Sequence, residues 1–182
     1  MFTSDFMKRI VNIPEKIEVE INNFKVRIKG PKGSLERDFS SPIFKNEITI
    51  KKEDNKILLS TESDKRKIKS MLGTIEAHIK NMFTGLIEGY TAKLKIVYAH
   101  FPFTLKISGK EILINNFLGE KVPRKTRIIN DCKVEIQGDE IIITGIDRES
   151  VGQTAANMEK STWIKARDRR VFVDGIFITK KP

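Results

Sequence analysis

Ile48-Thr-Ile-Lys-Lys-Glu-Asp-Asn-Lys-Ile-Leu-Leu59 decides how this chain folds, because its pattern occurs twice. Val134-Glu-Ile-Gln-Gly-Asp-Glu-Ile-Ile-Ile143 repeats it: an apolar run, a polar break, a second apolar run. Each stretch predicts a hairpin with one buried face. After the first come Ile68, Met71, Leu72, Ile75, Ile79, Met82, Phe83 and Leu86, spaced by threes and fours into one helical stripe. After the second come Val151, Ala155 and Met158. Upstream, Val26-x-Ile28-x-Gly30 has a counterpart in Ile112-x-Ile114 and Phe117-x-Gly119. The halves share order more than identity. That order predicts an α+β protein: two tandem copies of a small, mostly antiparallel sheet packed against one helix. With the break near Gly85 to Gly89, residues 1–16 form a loosely held arm, 17–86 the first repeat and 87–182 the second.

A further hairpin opens the first repeat. Ile17, Val19 and Ile21 alternate with Glu18 and Glu20; after Asn22-Asn23, Phe24, Val26 and Ile28 alternate with Lys25, Arg27 and Lys29. Period two around an Asn-Asn turn predicts antiparallel strands, the second with an all-cationic outer face. Gly30-Pro-Lys-Gly33 breaks that strand. It lacks the glycine-to-lysine spacing of a phosphate loop, and a strand pattern from Leu35 to Phe39 follows it instead of a helix. What remains is a tight turn carrying Lys29 and Lys32, either a phosphate contact or a plain Gly-Pro turn. Thr61-x-x-Asp64 is placed to form a capping box for the long helix. Lys65, Arg66, Lys67 and Lys69 then oppose the helix dipole, so either a partner neutralises them or they form a solvated face.

The 182 residues hold 34 Lys+Arg against 24 Asp+Glu, a net charge of +10. Such an excess favours a polyanionic partner, nucleic acid before an anionic membrane. The lone Cys132 rules out an intrachain disulfide and fits a reducing compartment. There is no apolar run long enough to span a bilayer, and Met1 to Ile10 lacks the pattern of a signal peptide. A cytoplasmic protein without a membrane partner is expected.

The second repeat is richer in features that packing does not require. Lys165, Arg167, Arg169, Arg170 and Lys180 fall within sixteen residues, opposed only by Asp168 and Asp174 and interleaved with Val171, Phe172, Val173, Ile176, Phe177 and Ile178. This predicts an edge that packs its apolar side on a core and offers guanidinium groups to an anion; the alternative is a surface strand with ion pairs. Arginine suits the first task because its planar fork binds phosphate bidentately and keeps its charge. Asn115 to Arg127 reads as a glycine-hinged basic loop carrying Lys121, Arg124, Lys125 and Arg127. Lys93 to Pro102 is a strand ending in aromatics and His100. Asp147 is an N-cap candidate for a helix whose Gly152, Ala155 and Ala156 make one face very small, open to the sheet or to a phosphate chain. Asp174-Gly175 reads as a structural turn. Phe101, Trp163 and Phe172 are expected in the core, with base stacking as the alternative.

Catalysis finds little support. His78 and His100 are the only imidazoles, and neither has Cys, Asp or Glu at ligand spacing, so no metal is expected. Nucleophile-elbow and zinc-protease motifs are absent, and Cys132 has no base beside it in sequence. No cofactor is expected.

Five ordered motifs carry a resemblance: Val97-Tyr-Ala-His-Phe-Pro102, Asn116-Phe-Leu-Gly-Glu-Lys121, Ile143-Thr-Gly-Ile-Asp147, Val151-Gly-Gln-Thr-Ala-Ala156 and Arg170-x-Phe-x-Asp-Gly-Ile-Phe177. Together they resemble the family of the universal sixth protein of the large ribosomal subunit, the ninth in eukaryotic numbering. Ile28-Lys-Gly-Pro-Lys-Gly33 and Asn81-Met82 match its first domain. The resemblance runs from Ile13 to the end and favours the archaeal and eukaryotic branch. Lys160 departs from an expected Gln, and Phe177 from the commoner Tyr. The resemblance implies a non-enzymatic protein with duplicated folds. It implies binding to large-subunit ribosomal RNA near the sarcin–ricin loop and the base of the factor-binding stalk, chiefly through the second domain. Neighbouring ribosomal proteins, including the stalk base, become partners, and translational GTPases dock nearby. On this reading Lys121, Arg124, Lys125, Arg127, Lys165, Arg167, Arg169, Arg170 and Lys180 contact RNA phosphates and minor-groove hydroxyls. Lys29, Lys32, His100 and Gln153 are weaker contacts. Two alternatives stand beside it: a free-standing nucleic-acid-binding regulator, and a small enzyme using His100 or Cys132.

Overall fold

The computed structural model describes residues 7–41, 47–165 and 167–182; residues 1–6 of the expected arm lie outside these. A first compact unit ends at Gly89 and a second begins at Tyr90. Both are α+β. Among the described residues, every strand pairing is antiparallel.

The first unit contains β1 (Met7–Asn12), β2 (Glu18–Asn22), β3 (Lys25–Gly30), β4 (Gly33–Asp38), β5 (Ile48–Glu53), β6 (Lys56–Thr61) and α1 (Arg66–Ile87). The strands form two three-stranded sheets, ordered β1-β6-β5 and β2-β3-β4. Residues 7–12, expected in a loose arm, are instead β1, paired along β6 from Met7–Thr61 to Asn12–Lys56. Its inward positions end in the buried Val11 but include Arg9, which pairs with Glu76 of α1. A cation on the inner face hid the strand pattern. The β2–β3 turn falls on Asn23-Phe24, one residue later than expected. Asn23 adopts the left-handed backbone, φ 55°, that asparagine tolerates, and Phe24 leaves the strand face.

α1 buries Ile68, Leu72, Ile75, Ile79, Met82, Phe83 and Leu86 of the expected stripe, with Met71 half-buried at its edge. The expected capping box does not form. Lys65 is the N-cap and makes no side-chain cap bond. Thr61 is held in β6, where its hydroxyl donates to the Glu47 carbonyl at 2.6 Å. Lys65 pairs with Glu47 at 2.9 Å and Lys69 pairs with Asp64, which partners two of the basic residues at this end locally.

The second unit contains β7 (Tyr90–Val97), β8 (Thr104–Ser108), β9 (Glu111–Asn115), a 3-10 turn (Phe117–Gly119), β10 (Arg124–Arg127), β11 (Lys133–Gln137), β12 (Glu140–Gly145), α2 (Arg148–Ser161) and β13 (Gly175–Lys180). Its sheets are ordered β10-β9-β8 and β11-β12-β7-β13. Asp147 caps α2, accepting the N–H groups of Glu149 at 3.2 Å and Ser150 at 3.1 Å. Val151, Ala155 and Met158 join Leu94, Ile141, Ile143 and Ile176 in the core. A Cβ on Gly145 would lie 2.8 Å from Val151 Cγ2. Of the small helix face, Ala155 is in the core, while a Cβ on Gly152 would meet Pro182 Cγ at 3.6 Å.

Two expectations about this unit change. Arg124, Lys125 and Arg127 lie on a strand, not in a loop, because residues 124–127 pair with β9 from Ile114 back to Glu111. The tail becomes a strand only at Gly175. Before it, the Asp168 carbonyl accepts the N–H groups of Val171 at 3.1 Å and Phe172 at 3.0 Å, making a turn. Val171 and Val173 are consequently 57% and 48% exposed, and Ile176 is the buried anchor.

Candidate nucleic-acid interface

The basic segment before β13 is held from below by one carboxylate. Asp174 is 2% exposed. Its Oδ1 accepts the N–H groups of Ala99 at 2.9 Å and His100 at 3.0 Å, and its Oδ2 lies 2.8 Å from His100 Nδ1. Burial by itself raises this carboxyl. The hydrogen bonds from the His100 backbone and ring, the Ala99 N–H and the Phe101 N–H outweigh it and hold the group down at about 2. As an ionised acceptor, Asp174 fixes the His100 proton on Nδ1. The imidazole stacks on Phe172 with centroids 4.7 Å apart, and the Arg167 guanidinium lies 4.8 Å from the same ring. One buried acid thus orders the turn after β7, an imidazole, a phenyl ring and an exposed arginine.

A second fastener joins the two basic segments. Arg124 donates to both Glu120 carboxylate oxygens, at 2.8 and 2.6 Å, and to the carbonyls of Ser161 at 2.9 Å and Trp163 at 3.0 Å. Its guanidinium also covers the Phe117 ring at 4.4 Å. Arg124 is expected from the sequence to touch RNA; four of its five N–H donors are spent on Glu120, Ser161 and Trp163. Its carbonyl partners lie 37 and 39 residues away in sequence, so only folding shows that it ties the two segments together. The Arg124 hydrogen bonds hold the Glu120 carboxyl below its ordinary value, with a further pull from the nearby Arg167.

The remaining cations of this unit face outward. Lys125 and Arg127 are exposed on β10 on either side of the buried Thr126, Arg127 being 3.9 Å from Glu111. Lys121, Lys165, Arg167, Arg169 and Lys180 are exposed. Arg170 is exposed and folds back on Asp168 at 3.0 Å. Gln153 stands apart on α2, bonded to Asn157 at 2.7 Å.

The first-unit candidates have partners within their own unit. Lys29 pairs with Glu20 across the β2–β3 register at 2.9 Å. The Lys32 ammonium donates to the Glu88 carbonyl, and its N–H to the Leu86 carbonyl at 3.3 Å. A Cβ on Gly30 would lie 2.8 Å from Leu86 Cβ. The Gly-Pro turn therefore closes onto the end of α1, where a lysine also complements the helix dipole.

Three residues escape sequence reasoning. Asp174 looks like a turn residue, although its apolar flanks, Val173 and Ile176, hint at burial. Trp163 is expected in the core but is 50% exposed, because its backbone is tied down by Lys160 and Arg124 while α2 has already ended. Phe101, also expected in the core, is 48% exposed. Cys132 offers no activated nucleophile, since burial pushes its thiol up. Among the described residues, no helix is long and apolar enough to cross a membrane.

Both units are small α+β scaffolds, and the second displays a cluster of exposed cations. The family model for ribosomal protein L6 matches two stretches, residues 13–89 and 101–175. Proteins named large ribosomal subunit protein uL6 are similar along nearly the whole chain. That of Staphylothermus marinus is 50% identical, covering 92% of this chain and 91% of its own. That of Methanobrevibacter smithii is 44% identical over 100% and 99%, and that of Sulfurisphaera tokodaii 49% identical over 94% and 90%. The chain belongs to the ribosomal protein L6 family, in its archaeal branch. It is a structural constituent of the ribosome, acting in translation, and not an enzyme.

Proposed function

We propose that the protein is built into the large subunit of cytoplasmic ribosomes and binds ribosomal RNA mainly through residues 90–182. Lys121, Lys125, Arg127, Lys165, Arg167, Arg169, Arg170 and Lys180 meet phosphates and 2′-hydroxyls, while Arg124, Asp174 and His100 hold those contacts in place. The bound region lies near the sarcin–ricin loop and the base of the factor-binding stalk, beside neighbouring ribosomal proteins. There the protein braces the surface on which translational GTPases dock. The observation that carries this reading is the convergence of two basic segments through Arg124, with Arg167 near Glu120. Cations held on a rigid frame lose little freedom on binding an RNA of matching shape.

Salt titration of binding to large-subunit RNA tests the contacts. Each phosphate contact removed lowers the slope of log K against log salt by about 0.7–0.9. Arg167→Ala/Arg170→Ala should therefore flatten the slope by about 1.4–1.8; an unchanged slope refutes the tail contacts. Chemical footprinting tests the location. Protection near the sarcin–ricin loop is expected, and protection confined elsewhere refutes it.

A further inference from the structure

Trp163 lines a recess with Thr162, Phe172, Val173, Phe177 and Arg169. The Arg169 guanidinium lies 5.6 Å from the indole, farther than the 4.4 and 4.8 Å of the arginines over Phe117 and Phe172. Behind it the wall is rigid: Thr162 Oγ1 accepts the Ile176 N–H at 3.0 Å, and the Trp163 carbonyl is bound by Arg124. Both acids in the lining are engaged: Glu159 Oε1 accepts the Ile178 N–H at 3.2 Å, and Asp174 Oδ1 accepts the Ala99 and His100 N–H groups. Arg169 lines the recess, and the Arg167 guanidinium lies 4.8 Å from the ring of Phe172 in its wall.

We propose that this recess takes one unpaired nucleobase of RNA, stacked on Trp163, with its flanking phosphates on the surrounding cations. The proposal rests on the RNA-binding reading and adds a base site to it. Cations alone are satisfied by any backbone, and an apolar recess alone by any side chain. An unpaired nucleotide offers both a flat ring face and adjacent negative charge. Bases inside a duplex keep their faces covered, so the site selects bulged or looped nucleotides. Stacking tolerates any base, so the preference is for being unpaired rather than for one sequence.

Trp163 is the chain's only tryptophan, so its fluorescence reports on the recess directly. The full chain is titrated with a blunt RNA duplex and with the same duplex carrying one bulged adenosine, followed by anisotropy of end-labelled RNA and by indole emission. The bulged RNA should bind more tightly and quench the indole. Trp163→Ala should weaken binding of the bulged RNA by about 5- to 100-fold, leaving the blunt duplex unaffected. Trp163→Tyr should keep most of the preference. Equal, salt-dependent binding of both RNAs with unchanged emission overturns the base site and leaves the RNA-binding reading standing. Binding of neither RNA at low salt overturns both. Quenching by an acidic peptide but not by the bulged RNA overturns the proposal in favour of a protein occupant.

Discussion

Asp174 brings a negative charge into an almost fully buried position and satisfies it with N–H groups from residues 99–101 and the His100 ring. Its ordinary value is 3.8 and its folded value about 2, so between them the unfolded chain binds a proton that the folded chain does not. The stabilisation is complete above about pH 4 and disappears as pH falls towards 2, amounting to roughly 2 kcal/mol. Urea denaturation at stepped pH should show this fall; in Asp174→Asn the neutral-pH stability should be lower by a similar amount and the extra fall absent. Arg124 makes a complementary case. Arg124→Lys keeps the charge but loses the planar fork, and should lower stability by about 1–3 kcal/mol in a thermal melt. The salt slope of RNA binding should change little, because Arg124 spends four of its five N–H donors inside the protein. A fall in slope without loss of stability would return Arg124 to the RNA contacts.

At the scale of elements, helix ends and close approaches set the sensitivities. Asp147 caps α2 through two N–H groups, so Asp147→Ala should destabilise the second unit by about 1 kcal/mol. Gly30→Ala must displace Leu86 across a 2.8 Å contact and should cost about 1–3 kcal/mol. Gly152 contrasts with it: a Cβ there meets Pro182 Cγ at an ordinary 3.6 Å. Gly152→Ala should be neutral or raise stability by up to about 1 kcal/mol, through helix propensity. Denaturant titrations of the three variants, compared side by side, check the order. The helices and hairpins were legible in the sequence because their periods are written in neighbouring side chains. β1 was not, because Arg9 occupies an inward position that the ion pair with Glu76 makes tolerable. The strand character of residues 124–127 was masked by three cations that read as a loop.

For the whole molecule, net charge does not say where RNA binds. Residues 1–89 carry 17 cations and 13 anions, a net of +4; residues 90–182 carry 17 and 11, a net of +6. Arrangement distinguishes them. In the first unit Arg9, Lys29, Lys65, Lys69 and Lys80 face acidic partners, and Lys32 is tied to the end of α1. In the second, most cations of the tail stand on a frame with little acid nearby. Lys29→Ala/Lys32→Ala should accordingly leave the salt slope of RNA binding within experimental error of the parent, while Arg167→Ala/Arg170→Ala flattens it. A comparable flattening by both pairs would put phosphate contacts on the first unit as well.

The sequence by itself determined the duplication, the antiparallel α+β class and the family. Spacing and period are local properties that survive without coordinates, and five ordered motifs are too specific to recur by accident. Only the tertiary structure decided what individual polar and aromatic side chains do. Asp174 meets its partner 74 residues away at His100, and Arg124 meets carbonyls 37 and 39 residues away. The same folding tied Arg124 to carbonyls of the protein itself and left Trp163 half exposed. A side chain's charge or size is legible in one dimension, but its partner is chosen by which distant segments the sheets bring together.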